Sequence, residues 1–131
     1  MINSAKEFIT LRESDNPDDY HRAIHEDIHA DVWDDVIDNH PDMKVWIIAN
    51  KNVPLRILKK LVNDQNKDVR FSIAMKRKLD FDLFDKLASD EDYSVRLCIA
   101  RNKKVPTEIL KKLSNDHEET IREVANQKLG N

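Results

Sequence analysis

The sequence predicts an all-α fold in which short helices are stabilised by stacking on copies of themselves. Three observations lead there. The 131 residues include one glycine, Gly130, whereas tight hairpins and phosphate-cradling loops both draw on glycine for positive φ. Charged residues reach 36% and aromatics only 6%. From residue 43 the chain repeats with a gapless period of 26 residues: MKVWIIANKNVPLRILKKLVNDQNKD (43–68), VRFSIAMKRKLDFDLFDKLASDEDYS (69–94), VRLCIARNKKVPTEILKKLSNDHEET (95–120) and a truncated IREVANQKLGN (121–131). Met43, Val69, Val95 and Ile121 share one column of this alignment, and Ile47, Ile73, Ile99 and Ala125 share another. Leu61, Leu87 and Leu113 share a third.

In chain order, MINSAKEFITLRES lacks the uninterrupted apolar core of a signal peptide, and no stretch approaches the ~20 apolar residues of a membrane span. Residues 15–38 are predicted as one helix. Asn16 caps it, Pro17 opens it, and Asp18 and Asp19 suit its positive start. Tyr20, Ile24, Ile28 and Val32 recur every four residues, and Trp33, Val36 and Ile37 extend that face. By register this helix takes the place of a repeat's second helix, so residues 1–42 form an N-terminal cap with a polar outer side.

Each later unit reads as two helices. The first starts near Asp68-Val69 or Ser94-Val95, with Asp or Ser as cap, and runs about nine residues to a Lys/Arg-rich end. The second opens at Pro54 or Pro106 and stops at residues 63–64, 89–90 or 115–116. Helices this short fall below the ~12 to 15 residues needed for stability alone in water, so neighbouring repeats must hold them. The expected organisation is a single α-solenoid domain, residues 1–131, of about four repeats: cap 1–42, full repeats 43–68, 69–94 and 95–120, and a partial repeat 121–131.

The pattern V-R-x-x-I-A-x-N-x-x-x-P-x-x-x-L-x-x-L-x-x-D, seen in VRLCIARNKKVPTEILKKLSND, resembles the leucine-rich repeat variant, a relative of HEAT repeats, over residues 38–129. The pairs Asp64/Arg70, Asp90/Arg96 and Asp116/Arg122, with Asp38/Lys44 as a weaker copy, resemble the HEAT-type ladder that ties adjacent units. The resemblance implies a protein-binding scaffold, or in a few HEAT-like cases a DNA-binding one. A cysteine-bound cluster of the kind one such relative carries is ruled out, because Cys98 is the only cysteine. That count also excludes an intrachain disulfide and fits a cytoplasmic, bacterial-type setting.

HEDIH (25–29) matches the H-E-x-x-H of zinc hydrolases, with His21 one further step back. On one continuous helix His25 and His29 could share a metal. Val32, however, stands where the extended motif needs a turn-forming glycine, so Asp35 points away as a third ligand. A solvated cap face is the expectation, and neither a metal site nor a cofactor is expected. Cys98 reads as a small packing residue, and Trp46 as packed on the cap helix near Trp33.

Charge is distributed unevenly. Residues 1–42 carry −9 and residues 43–131 carry +6. Stacking aligns Lys51, then Lys76, Arg77 and Lys78, then Arg101, Lys103 and Lys104 along one edge, and the Asp/Glu-rich turns between units along the other. Cations at helix C-termini stabilise them by ~0.3 to 1 kcal/mol each, which alone could select the pattern. The sharper reading is a docking edge formed by Lys51, Lys76, Arg77, Lys78, Arg101, Asn102, Lys103 and Lys104, with Asn50 and Asn102 offering amides to a partner's backbone. The functional expectation is a monomeric, non-enzymatic protein-interaction scaffold or adaptor that meets an acidic partner surface along this basic edge and the adjoining face of the second helices. Nucleic-acid binding by the same edge is the alternative, and a zinc hydrolase stands third.

Overall fold

Side-chain caps decide where most of the helices begin. In the computed structural model, which describes residues 1–131, Ser4 opens α1 (Ala5–Glu13) by accepting from the Glu7 amide at 3.0 Å. Asn16 opens α2 (Pro17–His25) by accepting from the Asp18 amide, and His29 opens α3 (Ala30–Asn39) through Nδ1. A 3₁₀ turn (Pro41–Met43) leads into α4 (Lys44–Ile48), followed by α5 (Leu55–Leu61). Asn66, Asp80 and Asp92 cap α6 (Lys67–Ala74), α7 (Phe81–Ala88) and α8 (Tyr93–Arg101). Pro106 precedes α9 (Thr107–Leu113), and α10 (Glu119–Leu129) ends at Gly130, whose φ of 80° is left-handed. The fold is therefore all-α, its only β feature being an isolated bridge between Ile2 and Ile28. No helix is long and apolar enough to cross a membrane.

The expected caps Asp68 and Ser94 are displaced by two residues. Asn66 and Asp92 have extended backbones and reach forward to accept from the Asp68 and Ser94 amides at 2.8 Å each.

The chain divides into two compact units, Met1–Leu58 and Lys59–Asn131, the division falling inside α5. In the first unit the helix expected over 15–38 is broken at residues 26–29. The apolar four-residue spacing is real, but a tertiary strand-like contact overrides it. The Ile2 amide donates to the Asp27 carbonyl at 2.8 Å and the His29 amide to the Ile2 carbonyl at 2.9 Å, which extends the chain at Ile28 and buries both isoleucines. The carbonyls left open where α2 ends are met by residues following α4. Asn50 Nδ2 donates to the Ala23 and Glu26 carbonyls at 2.9 Å each, the Lys51 amide to Ile24, and Asn52 Nδ2 to His25.

In the second unit α6 packs on α8, α8 on α10, and α7 on α9. Ile73, Leu83, Leu87, Val95, Ile99 and Leu113 are the buried centre of this packing. Arg70 and Arg96 are buried beside it, 7% and 5% exposed. Arg70 sends Nη1 back to the Asp64 and Gln65 carbonyls at 2.7 and 3.1 Å, and Nε forward to the Asp90 carboxylate at 2.8 Å. Arg96 repeats the arrangement one period later, with the Asp90 and Glu91 carbonyls behind it and Asp116 ahead at 2.9 Å. The expected Asp-x5-Arg ladder is thus corrected. The arginine takes the carbonyl of the aspartate six residues before it and the carboxylate of the one 20 residues after it. Each forward carboxylate is also fixed from its own side, Asp90 by the Asp92 amide and Asp116 by the Glu118 amide, at 2.9 Å each.

Removing one member of such a buried pair strands the other. Arg96→Met is expected to lower the unfolding free energy in urea by about 3 to 5 kcal/mol. Lys112→Met, which breaks the exposed Lys112–Asp85 pair (3.1 Å), should cost under about 1 kcal/mol.

Acid should act on the same unit. Asp80 is held below the ordinary carboxylate value by hydrogen bonds from Lys59 and the Leu83 amide, and Asp92 by the hydroxyl and amide of Ser94. Burial pushes Asp116 up, but the Arg96 and Glu118 hydrogen bonds outweigh it and leave it lowered. Folded-state values below the unfolded ones confer stability that is complete above about pH 4 and is lost as the pH falls through the folded values. The urea midpoint is expected to drop below about pH 4, with a shallower drop in Asp116→Asn.

Candidate functional site

The residues of the expected docking edge divide into two kinds. Asn102 leaves the set, because it is buried and its amide is used within the chain. Its Nδ2 donates to the Lys76 carbonyl at 2.9 Å and to Ala74 at 3.5 Å, while its Oδ1 accepts from the Lys104 amide at 2.8 Å. Asn50 is likewise committed to the end of α2, so neither amide can serve a partner. Lys76 occupies the same repeat column as these asparagines. It is half-buried, and desolvation lowers the pKa of its ammonium.

Arg77, Lys78, Arg101, Lys103 and Lys104 are exposed, and none has a carboxylate within ion-pairing reach. Lys51 is exposed in the first unit. The second unit gathers part of this set around one groove of about 220 Å³, lined by Met75, Arg77, Cys98, Arg101, Asn102 and Lys103. Met75 is 63% exposed and Phe71, one turn earlier on α6, 36%. Sequence reading did not single out these two. Their signal lay in columns that turn outward, where Phe71 aligns with Val45 and Leu97, and Met75 with Ala49 and Arg101. Cys98 is half-buried there, and desolvation raises its pKa despite the nearby Arg101 charge, so it is a weak nucleophile.

Several charges on the second helices are paired. On the second-helix side Arg56 pairs with Asp34 at 3.0 Å, Lys59 with Asp80 at 2.8 Å and Lys112 with Asp85 at 3.1 Å. Each of these pairs is solvent-accessible.

HEDIH does not form the helical motif its spacing suggests. His25 is the last residue of α2 and stacks on His21 with ring centroids 4.1 Å apart, whereas His29 lies beyond the break and caps α3. Glu26 is hydrogen-bonded by Arg22 at 2.7 Å and by the Met1 ammonium, and these contacts lower its pKa to about 2. A carboxylate that weakly basic is a poor proton acceptor for a water nucleophile. No three His, Cys, Asp or Glu side chains converge in a way that could hold a metal ion.

Trp46 is packed against the cap on one side only. It is 38% exposed, and the Arg12 guanidinium lies over its ring, 3.5 Å from the centroid and 4.9 Å from that of Tyr20. A cation–π contact with the cap therefore holds one face of the indole, and α4, which carries it, packs on α3, where Trp33 is buried.

What the geometry offers is an exposed apolar patch with uncompensated cations at one end, a combination suited to an anionic, partly apolar ligand. No family model, curated protein or solved structure matches the chain.

Proposed function

We propose that the chain is a HEAT-like α-solenoid serving as a non-enzymatic protein-interaction module, whose partner presents an acidic surface to the groove at the ends of α6 and α8. The 26-residue recurrence of the Arg70 and Arg96 hydrogen bonds supports the repeat architecture. The observation that carries the functional reading is the set Arg77, Lys78, Arg101, Lys103 and Lys104, exposed and without carboxylate partners beside exposed Met75 and Phe71. Cations alone would suit a phosphate backbone equally well. The neighbouring apolar surface favours a protein, since burying it adds about 25 cal/mol per Å² that a backbone of phosphates cannot collect.

The test compares the intact protein with an Arg77→Glu/Arg101→Glu/Lys103→Glu variant in quantitative capture from a cell extract, with Lys111→Glu on α9 as control. An acidic polypeptide should be held by the intact protein and the control, and retained at least about tenfold less by the triple variant. Equal capture by all three overturns the reading. Tight binding of unrelated DNA duplexes at low salt, with log K falling against log salt at a slope near about −3.6 for some four phosphates, would replace it with nucleic-acid binding.

A further inference from the structure

We infer that the groove between the C-terminal ends of α6 and α8 seats an amphipathic helix of a partner protein, with one large apolar anchor and an acidic end lying over Arg77, Arg101 and Lys103. The inference rests on the protein-interaction reading above and specifies the occupant.

Its first support is size and rigidity. A dry cavity of about 150 Å³ accommodates a benzene ring, so a groove of about 220 Å³ can take one Phe- or Leu-sized side chain. Its base does not need to form on binding, because Ala74 is fully buried and Asn102 is tied to the Ala74 and Lys76 carbonyls. Met75, unbranched and mostly exposed, can adjust over whatever enters.

The second support is the order of side chains along the two helices. On α6, Phe71 is followed after four residues by Met75 and then, past the helix end, by Arg77. On α8, half-buried Leu97 and Cys98 are followed by Arg101 and Lys103. Both helices therefore run from apolar to cationic in the same direction, the two being packed together. Residues three or four apart on a helix lie about 5 to 6 Å from one another, so a third helix laid along this pair can match Phe71 and Met75 with its own apolar stripe. Its carboxylates then belong at one end only. Arg can meet them bidentately, and the Arg101 and Arg77 guanidiniums have no competing carboxylate.

Yeast-displayed random peptides of about 16 residues, long enough to hold a helix, would be selected on the immobilised full chain. The enriched sequences should carry Asp/Glu clustered at one end and a large apolar residue at helical spacing from it. Their affinity should fall at least about tenfold with Met75→Glu and again with Arg101→Glu/Lys103→Glu, but not with Lys111→Glu. All four substitutions are at exposed positions, and thermal unfolding by circular dichroism would verify that each variant keeps its fold. Acidic peptides that require Arg101 and Lys103 but ignore Met75→Glu overturn the groove and leave the basic edge standing. Failure to enrich any acidic peptide overturns both. Concentration-dependent dimerisation in sedimentation, abolished by Met75→Glu, would assign the groove to a second copy of the chain and overturn the partner helix.

Discussion

A guanidinium removed from water must be met by acceptors, and in the second unit two such groups hold successive helices in place. Arg70 and Arg96 each bridge two carbonyls behind and a carboxylate ahead. The carbonyls belong to the turn that ends one helix pair, and the carboxylate belongs to the turn that ends the next. Coulombic attraction in a pair this buried roughly balances its desolvation, so the geometry contributes specificity more than net stability. A slip by one turn would leave a charge without its partner. For helices of seven to eleven residues, which have little intrinsic preference for a register, that constraint is what fixes it.

Helix ends raise the complementary problem, because the last carbonyls of every helix lack intrahelical donors. Three positions of one repeat column, 50, 102 and 128 in a column that reads Asn, Lys, Asn, Lys over 50, 76, 102 and 128, answer it at several ends. Asn50 donates into the end of α2, Asn102 into the end of α6, and Lys128 Nζ to the Asn102 carbonyl at 2.9 Å. Burial lowers the pKa of Lys128 as it does that of Lys76. Sharing one column between an amide and an ammonium makes physical sense, since each supplies donors and each tolerates a partly desolvated site near the negative end of a helix.

Much of the fold could be read from the sequence because the repeat makes each column an average over several copies. The apolar columns through Ile47, Ile73 and Ile99 and through Leu61, Leu87 and Leu113 are buried throughout. What the sequence concealed depended on contacts without periodicity. Nothing local marks residues 26–29 as a break; Ile2, some 25 residues away, extends the chain there. Arg12 over Trp46 is equally non-local, so the indole's partner could not be inferred from its own column. At the candidate site the cations were legible as a charge pattern. Whether Asn102 points outward or into a helix end is a matter of side-chain geometry, and an identical sequence column permits both. Phe71 and Met75 escaped notice because in a helix whose other apolar residues are buried, two more apolar residues read as core.

The helix dipole accounts for only some of the basic edge. A cation placed for that purpose acts within the last turn and gains most when it reaches the open carbonyls. Lys128 meets that description, and Arg101, the final residue of α8, meets its positional half. Arg77 and Lys78 do not, since α6 ends at Ala74, and Lys103 and Lys104 lie beyond the end of α8. These four are exposed in connecting turns, their side chains donate to no carbonyl, and they approach no carboxylate. Four such charges beside an exposed methionine and phenylalanine repel one another and leave apolar surface wet, both unfavourable for the isolated chain. That unfavourable surface is the observation on which the proposed interface rests. Asn102 and Lys128, on the inner column, do the capping, and the outer cations take no part in it.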